Sequence, residues 1–257
     1  MCTLVIDRAP GHDWPILLAG NRDEMRDRSW KAPGRHWPDR PHVVAGQDLQ
    51  SEGAWLGLND DGLVAAVLNR YGSLGSTPER RSRGELVLEA LDHAEATAAA
   101  EALADLEPQA YRSFNLVVAD ALDAFWIRHS DEEGAGIDVF PIPPGLSMLS
   151  AFDLNDTSSG RIRHYLPRFR AASRPDPETQ DWQDWQDLLA ATEVSEGETA
   201  SAAMCFSLDN GFGTLSSSLL ALPDVRLDSM DAPRRPVWLF APGRPDQTEY
   251  RPVDLEQ

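Results

Sequence analysis

Short apolar segments rich in β-branched residues recur along the chain in blocks, and only a few helical segments separate the blocks. Strands grouped in this way are typical of antiparallel sheets covered by helices, so the sequence predicts an α+β fold. No internal repeat and no long linker divides it, and we predict one domain over residues 1–257. The predicted strands are residues 2–6, 14–19, 55–58, 63–69, 114–119, 124–127, 137–142, 146–150, 202–208, 214–222, 237–240 and 248–253.

Three segments indicate helices. Residues 82–107 are rich in Ala, Leu and Glu and predict either one long helix or two helices that meet near residues 95–97. Ser82 and Glu85 have the spacing of a capping box at its start. The other two helices are predicted at residues 162–172, where Pro167 must bend or restart the helix, and at residues 181–193. The Pro-, Trp- and Arg-rich residues 25–48 predict a long loop.

The net charge of −19, from 42 acidic and 23 basic side chains, argues against some partners. This field repels nucleic-acid phosphates and anionic lipid headgroups, so we expect no nucleic-acid partner. No apolar run approaches the roughly 20 residues that span a bilayer, and no signal peptide is evident, so we expect a cytoplasmic protein. The acidic composition, with Lys31 as the one lysine, fits a salt-rich cytoplasm or an Arg-biased genome equally well. The sequence predicts no oligomeric state.

The two cysteines differ in their surroundings. Cys205 lies in an apolar run, which predicts a small buried side chain. Two cysteines are too few for a disulfide framework or a thiolate zinc site, and the six histidines lack metal-site spacing. Removal of Met1 would give Cys2 a free α-amine. That amine titrates near ~8 and a thiol near ~8.5, so the amine can act as the base for the thiol of its own residue.

A predicted hairpin between residues 2–6 and 14–19 brings polar residues beside Cys2. If Ile6 pairs with Ile16, Cys2 falls opposite Gly20, because antiparallel partners keep a constant index sum. Arg22 and Asp23 then follow directly, where Arg22 would lower the pKa of the thiol and Asp23 would hold the amine by a hydrogen bond. On this pattern alone, an incidental cysteine beside a polar strand end is the simpler interpretation.

An ordered set of motifs changes that interpretation. The chain begins Met1-Cys2, carries Asn21-Arg22-Asp23-Glu24, and resembles the NRDE family, the transport and Golgi organisation protein 2 group, along nearly its whole length. The further matching elements, in chain order, are Gly46 with Asp48, Gly53-Ala54-Trp55-Leu56-Gly57, Leu68-Asn69, Ser82-Arg83-Gly84-Glu85-Leu86, Phe114-Asn115-Leu116, Gly213-Thr214 and residues 248–251.

Residues 59–69 are also similar to a segment of the choloylglycine and penicillin V acylases, which likewise begin Met-Cys. This resemblance implies a four-layer αββα fold of the N-terminal-nucleophile-hydrolase type, with two mainly antiparallel sheets between helical layers. The functional residues that it implies are Cys2 as nucleophile, Arg22 and Asp23 as the residues that organise it, Asn69 as an oxyanion donor, and Asn21 and Trp55 as substrate contacts.

Two positions depart from the family pattern. Ala151 stands where an Asn is typical and Leu215 where an Arg is typical, and Asn155 and Arg161 are candidate substitutes. Two hypotheses follow. The first is an amidohydrolase, without a cofactor, that cleaves the carbon–nitrogen or thioester bond of a small acylated substrate through Cys2.

The second hypothesis is a non-catalytic binding protein that uses the same pocket for a hydrophobic ligand. The family resemblance implies haem or acyl-CoA and lipid handling, and His36, His42 or Cys2 are the candidate axial ligands for haem. The two departures favour this second hypothesis, whereas the intact nucleophile motif favours the first.

Overall fold

The computed structural model describes residues 2–75, 77, 79–132, 134–224, 226 and 234–256. The chain divides into two compact units, the first formed by Met1–Asp27 with Pro143–Val253 and the second by Arg28–Ile142 with Asp254–Gln257. Each unit has one antiparallel sheet with helices packed on it, which is the predicted α+β class. The single domain over residues 1–257 stays a prediction. No helix among the described residues is long and apolar enough to cross a membrane.

The elements of the described residues follow in chain order. The strands are β1 (Thr3–Arg8), β2 (Ile16–Met25), β3 (Trp30–Gly34), β4 (Val43–Asp48), β5 (Ala54–Asn59), β6 (Val64–Asn69), β7 (Phe114–Ala119), β8 (Ala124–His129), β9 (Ile137–Pro141), β10 (Gly145–Leu149), β11 (Phe212–Leu222), β12 (Val237–Ala241) and β13 (Arg251–Pro252). The α-helices are α1 (Gly84–Leu91), α2 (Ala96–Ala104), α3 (Gly160–Ala171) and α4 (Gln183–Ala190).

The first unit contains a sheet in the order β10-β1-β2-β11-β12-β13. One face of this sheet carries Val5, Leu17 and Ala19, which pack with the buried aromatic side chains of α3 and α4. Helix α3 continues through Pro167 without a break. The strand predicted at residues 202–208 is wrong: the Cys205 N–H donates to the Ala191 carbonyl at the end of α4 at 2.9 Å, and an isolated bridge between Ser207 and Gly213 joins the segment to β11.

The β1–β2 hairpin has a different register from the predicted one. Ile6 pairs with Leu18 instead of Ile16, a shift of two residues. The loop between β1 and β2 is longer than predicted, because the Ala9 N–H donates to the Pro15 carbonyl at 2.8 Å and ends the loop there. Strand β2 therefore begins two residues later than predicted. A shift of two residues keeps every side chain on its predicted face. It moves Cys2 away from Gly20 and towards the next residues of β2.

The second unit contains a sheet in the sequential order β3-β4-β5-β6-β7-β8-β9. The loop predicted over residues 25–48 is wrong, because the end of β2 and the strands β3 and β4 lie there. Residues 82–107 form two helices, as the second alternative proposed. The capping box is also wrong: Ser82 Oγ accepts from the Gly84 N–H at 3.2 Å, and the Glu85 carboxylate binds Arg81 at 2.8 Å.

Two of the motif glycines allow a close backbone contact in the second unit. A Cβ atom on Gly53, just before β5, would lie 2.6 Å from the Cα atom of Gly84 at the start of α1. Real Cβ contacts do not come that close, so the helix can approach the strand only if position 53 lacks a side chain. The packing of α1 on β5 therefore requires glycine at position 53 and leaves little room for a side chain at position 84.

A candidate nucleophile site around Cys2

Cys2 lies just before β1, and its sulfur is held by the main chain of Asp23. The Asp23 N–H donates to Sγ at 3.4 Å, and the thiol donates to the Asp23 carbonyl oxygen at 3.5 Å. The paired residues of β1 and β2 end at Thr3 and Asn21. Beyond that pair, the Cys2 sulfur makes the contacts with the β2 main chain that a strand backbone would otherwise make. The residue as a whole is half-buried, and the two main-chain contacts fix the position of its sulfur.

The pKa of the Cys2 thiol is raised above its usual value. Burial is the largest cause and the Asp23 carboxylate is the second; the Arg22 guanidinium acts in the opposite direction, as the sequence predicted, but does not prevail. The thiolate is the nucleophilic form, so this thiol needs a base that removes its proton. Met1, whose removal would free the α-amine, lies outside the described residues.

The Asp23 side chain is fully buried and bonded on both oxygens. Oδ2 accepts from Nη1 of Arg161 at 2.9 Å, and Oδ1 accepts from the Thr214 hydroxyl at 2.8 Å. The same Nη1 of Arg161 also donates to the hydroxyl of Thr3 at 2.5 Å. Arg161 was one of the two candidate substitutes, and it joins the site by pairing with Asp23. Thr3 was missed, although its place beside Cys2 was a signal.

The predicted site residues of β1 and β2 lie on two faces of their sheet. Asn21 and Asp23 are on the face that α3 and α4 cover, whereas the intervening Arg22 points to the opposite face, as strand alternation requires. The Asn21 amide donates to the carbonyl oxygens of Leu189 and Met204, both at 2.9 Å. These bonds attach β2 to the end of α4, and the substrate contact of Asn21 stays a prediction.

The two residues that depart from the family pattern, Leu215 and Ala151, both lie in the first unit. Leu215 lies at an irregularity of β11, where the pairing with β2 shifts between Thr214 and Ser216. Ala151 is buried directly after β10. Asn155, the other candidate substitute, closes the loop after β10: its Oδ1 accepts from the Met148 N–H at 2.8 Å. The Asn155 side chain therefore has a structural role in this loop.

The remaining predicted site residues belong to the second unit. Asn69 is the last residue of β6 and pairs with Phe114 on β7. Trp55 contacts Trp30 edge to face, with ring centroids 5.8 Å apart, and its indole fills the space where Gly46 lacks a side chain. The oxyanion role of Asn69 and the substrate contact of Trp55 stay predictions. The candidate haem ligands His36 and His42 each place Nε2 near a carbonyl oxygen, at 2.8 and 3.2 Å.

The comparison with known families decides the identity. A family model described as Transport and Golgi organisation 2 matches residues 1–221. The chain belongs to the transport and Golgi organisation 2 family. This confirms the NRDE resemblance of the sequence. The transport and Golgi organisation homologues of Mus musculus and Bos taurus are 31% and 32% identical to this family member over 108 residues, which cover 41% of the chain and 38% of each relative.

Solved structures show the fold. The Caenorhabditis elegans N-acylethanolamine-hydrolyzing acid amidase ortholog has a TM-score of 0.60 at 13% identity, over 87% of this chain and 94% of that one. A variant of the conjugated bile acid hydrolase from Clostridium perfringens has a TM-score of 0.55 at 11% identity, over 100% and 94%. These likenesses confirm that this member of the transport and Golgi organisation 2 family has the fold of N-terminal-nucleophile hydrolases.

Proposed function

We propose that this protein is an N-terminal-nucleophile amidohydrolase that cleaves the carbon–nitrogen bond of a small acylated substrate through Cys2. The observation that carries the proposal is the thiol of Cys2, a half-buried residue whose sulfur is held at a sheet end by the main chain of Asp23. The likeness to the solved structures of an N-acylethanolamine-hydrolyzing acid amidase ortholog and a conjugated bile acid hydrolase supports the same substrate class.

In the proposed reaction, the Cys2 sulfur attacks the acyl carbon while the thiol proton passes to the α-amine that removal of Met1 exposes. The carbon–nitrogen bond then breaks, and the leaving amine takes this proton. The acyl group remains on sulfur as a thioester, which water hydrolyses to the free acid and the original thiol. Arg22 favours the ionised sulfur in this sequence of steps, since its charge lowers the pKa of the thiol.

The second cysteine supplies a matched control for this proposal. We expect wild-type protein with a free Cys2 amine to release fluorophore from at least one member of a series of aminocoumarin amides of short to long fatty acids. Cys2→Ala should reduce this rate to background, whereas Cys205→Ala should retain it. Burial raises the pKa of Cys205 to about 11, and its thiol donates to Asp246 Oδ1 at 3.1 Å. Equal rates for wild type and Cys2→Ala would refute the nucleophile assignment.

The raised pKa of the Cys2 thiol favours a second candidate function, because a protonated thiol without its base does not turn over acyl substrates. Under this proposal the protein binds haem or an acyl-CoA without reaction. We expect a spectral titration with haemin, or a calorimetric titration with palmitoyl-CoA, to give saturable binding to wild type and to Cys2→Ala. Binding no tighter than that of an unrelated acidic protein would exclude this function.

A further inference from the structure

Arg161 occupies a position that ordinary helix energetics disfavour. It is the second residue of α3, and its side chain is only 4% exposed. The N-terminal end of a helix carries a partial positive charge, so a cation in the first turn is electrostatically unfavourable there. Removing a guanidinium from water adds a further cost unless the group is paired and hydrogen-bonded. The contacts of Arg161 must therefore offset two unfavourable contributions to stability, the repulsion from the helix N-terminus and the desolvation of the guanidinium.

The contacts of Arg161 converge on the two residues that flank the Cys2 thiol. Its Nη1 lies 2.5 Å from the hydroxyl of Thr3, the residue that follows Cys2 in the chain, and 2.9 Å from Oδ2 of Asp23. Asp23 in turn holds the sulfur through its own N–H and carbonyl groups. One nitrogen atom thus joins the start of β1 to the residue of β2 that contacts the sulfur. We call Thr3, Arg161 and Asp23 the guanidinium bridge.

The guanidinium is also fixed on the side away from the sheet. Its Nη2 donates to the Ser201 carbonyl oxygen at 2.7 Å, and its central carbon lies 5.3 Å from the centre of the Phe206 ring. A side chain bonded to a sheet, a loop carbonyl and an aromatic ring has little rotational freedom left. The bridge can therefore hold Thr3 and Asp23 at a constant separation.

We infer that Arg161 is a positioning residue for the Cys2 nucleophile, acting through the guanidinium bridge. It holds the Asp23 main chain against the sulfur, and its charge opposes the Asp23 carboxylate, which otherwise disfavours ionisation of the nearby thiol. The inference deepens the proposed function, since a positioned thiol matters most if Cys2 reacts. Arg161 itself has no role in bond making or breaking.

The test is the pH dependence of Cys2 alkylation by iodoacetamide, followed on the Cys2 peptide by mass spectrometry in wild type, Arg161→Met and Arg161→Lys. We expect Arg161→Met to move the midpoint of the profile to higher pH, so that alkylation at a fixed pH below both midpoints slows about tenfold or more. Arg161→Lys keeps the charge and should restore much of the rate. Arg170→Met, on the same helix but bonded to the Leu146 carbonyl, should leave the profile unchanged.

A folded Arg161→Met protein with the wild-type midpoint would overturn the inference. If that variant does not fold, Thr3→Ala removes one contact of the bridge without leaving a buried charge unpaired, and an unchanged profile in a folded Thr3→Ala protein would overturn the inference instead. Alkylation needs no turnover, so the outcome is independent of the proposed function. A shifted midpoint in a protein that hydrolyses no amide would support the positioning role and reject the amidohydrolase.

Discussion

Replacing Asp23 with alanine is expected to lower the free energy of unfolding by about 3–5 kcal/mol, because the change leaves a buried guanidinium without its counter-charge. The side chains of Asp23 and Arg161 are 0% and 4% exposed, so water cannot replace the lost carboxylate. The Thr214 hydroxyl also loses the nearer of two acceptors in this variant, and the Met204 carbonyl oxygen at 3.4 Å is the other. The quantity to measure is the midpoint and slope of equilibrium unfolding in urea.

A surface ion pair of the same residue types gives the control. Arg128 and Asp138 are bonded at 2.7 Å, but their side chains are 27% and 52% exposed, and water screens their interaction. We expect Asp138→Ala to cost about 1 kcal/mol or less. Equal losses for Asp23→Ala and Asp138→Ala would show that burial of the Asp23–Arg161 pair does not determine its contribution.

Much of this site could be predicted from local sequence. The hairpin and the closeness of Cys2 to Arg22 and Asp23 follow from strand pattern and strand pairing, and the two-residue error in register came only from the connecting loop. Arg161 could not be paired with Asp23 in the same way, since 138 residues separate them and no periodic pattern links a helix start to a distant strand. Sequence identified Arg161 as a candidate but did not give its partner.

The errors in the fold have a common physical cause. Residues 202–208 are apolar enough for a strand, but the Cys205 N–H bonds to the end of α4, and the bonds of Phe206 and Leu208 to β11 form an isolated bridge. Residues 30–34 and 43–48 form strands β3 and β4 although the segment around them is rich in proline and arginine. In both cases tertiary hydrogen bonds determine the conformation, and intrinsic strand propensity is secondary.

The arginine that is missing at Leu215 can be compared with two arginines that the structure places around Cys2. Arg161 supplies a buried arginine beside Asp23, but it acts on the side of the sheet that α3 and α4 cover. Arg22 is the arginine on the opposite face, where it lowers the pKa of the thiol. Two arginines therefore belong to the surroundings of Cys2, one on each face of the sheet, although position 215 holds a leucine.

The largest effect on rate is expected from the amino group of Cys2. Burial raises the pKa of this thiol, so at neutral pH the sulfur is protonated and reaction requires a base next to it. Two preparations of the same chain isolate this base: a protease-cleaved fusion that leaves Cys2 as the first residue, and one that leaves a glycine before it. The sulfur and its Asp23 contacts are common to both proteins, and the difference is the Cys2 nitrogen, which is a free amine in the first protein and a peptide amide in the second.

We expect the protein with a free Cys2 amine to hydrolyse the aminocoumarin amides about 10²–10⁴-fold faster than the glycine-extended protein, which is the usual contribution of a positioned general base. Intact mass must confirm each N-terminus, and denaturant unfolding must show equal stability. A steep rise in the activity of the extended protein above the raised pKa of the thiol would also be expected, because hydroxide then replaces the amine as base. Equal rates for both proteins at neutral pH would mean that Cys2 does not use its own amine, and the N-terminal-nucleophile mechanism would have to be abandoned even if Cys2→Ala is inactive.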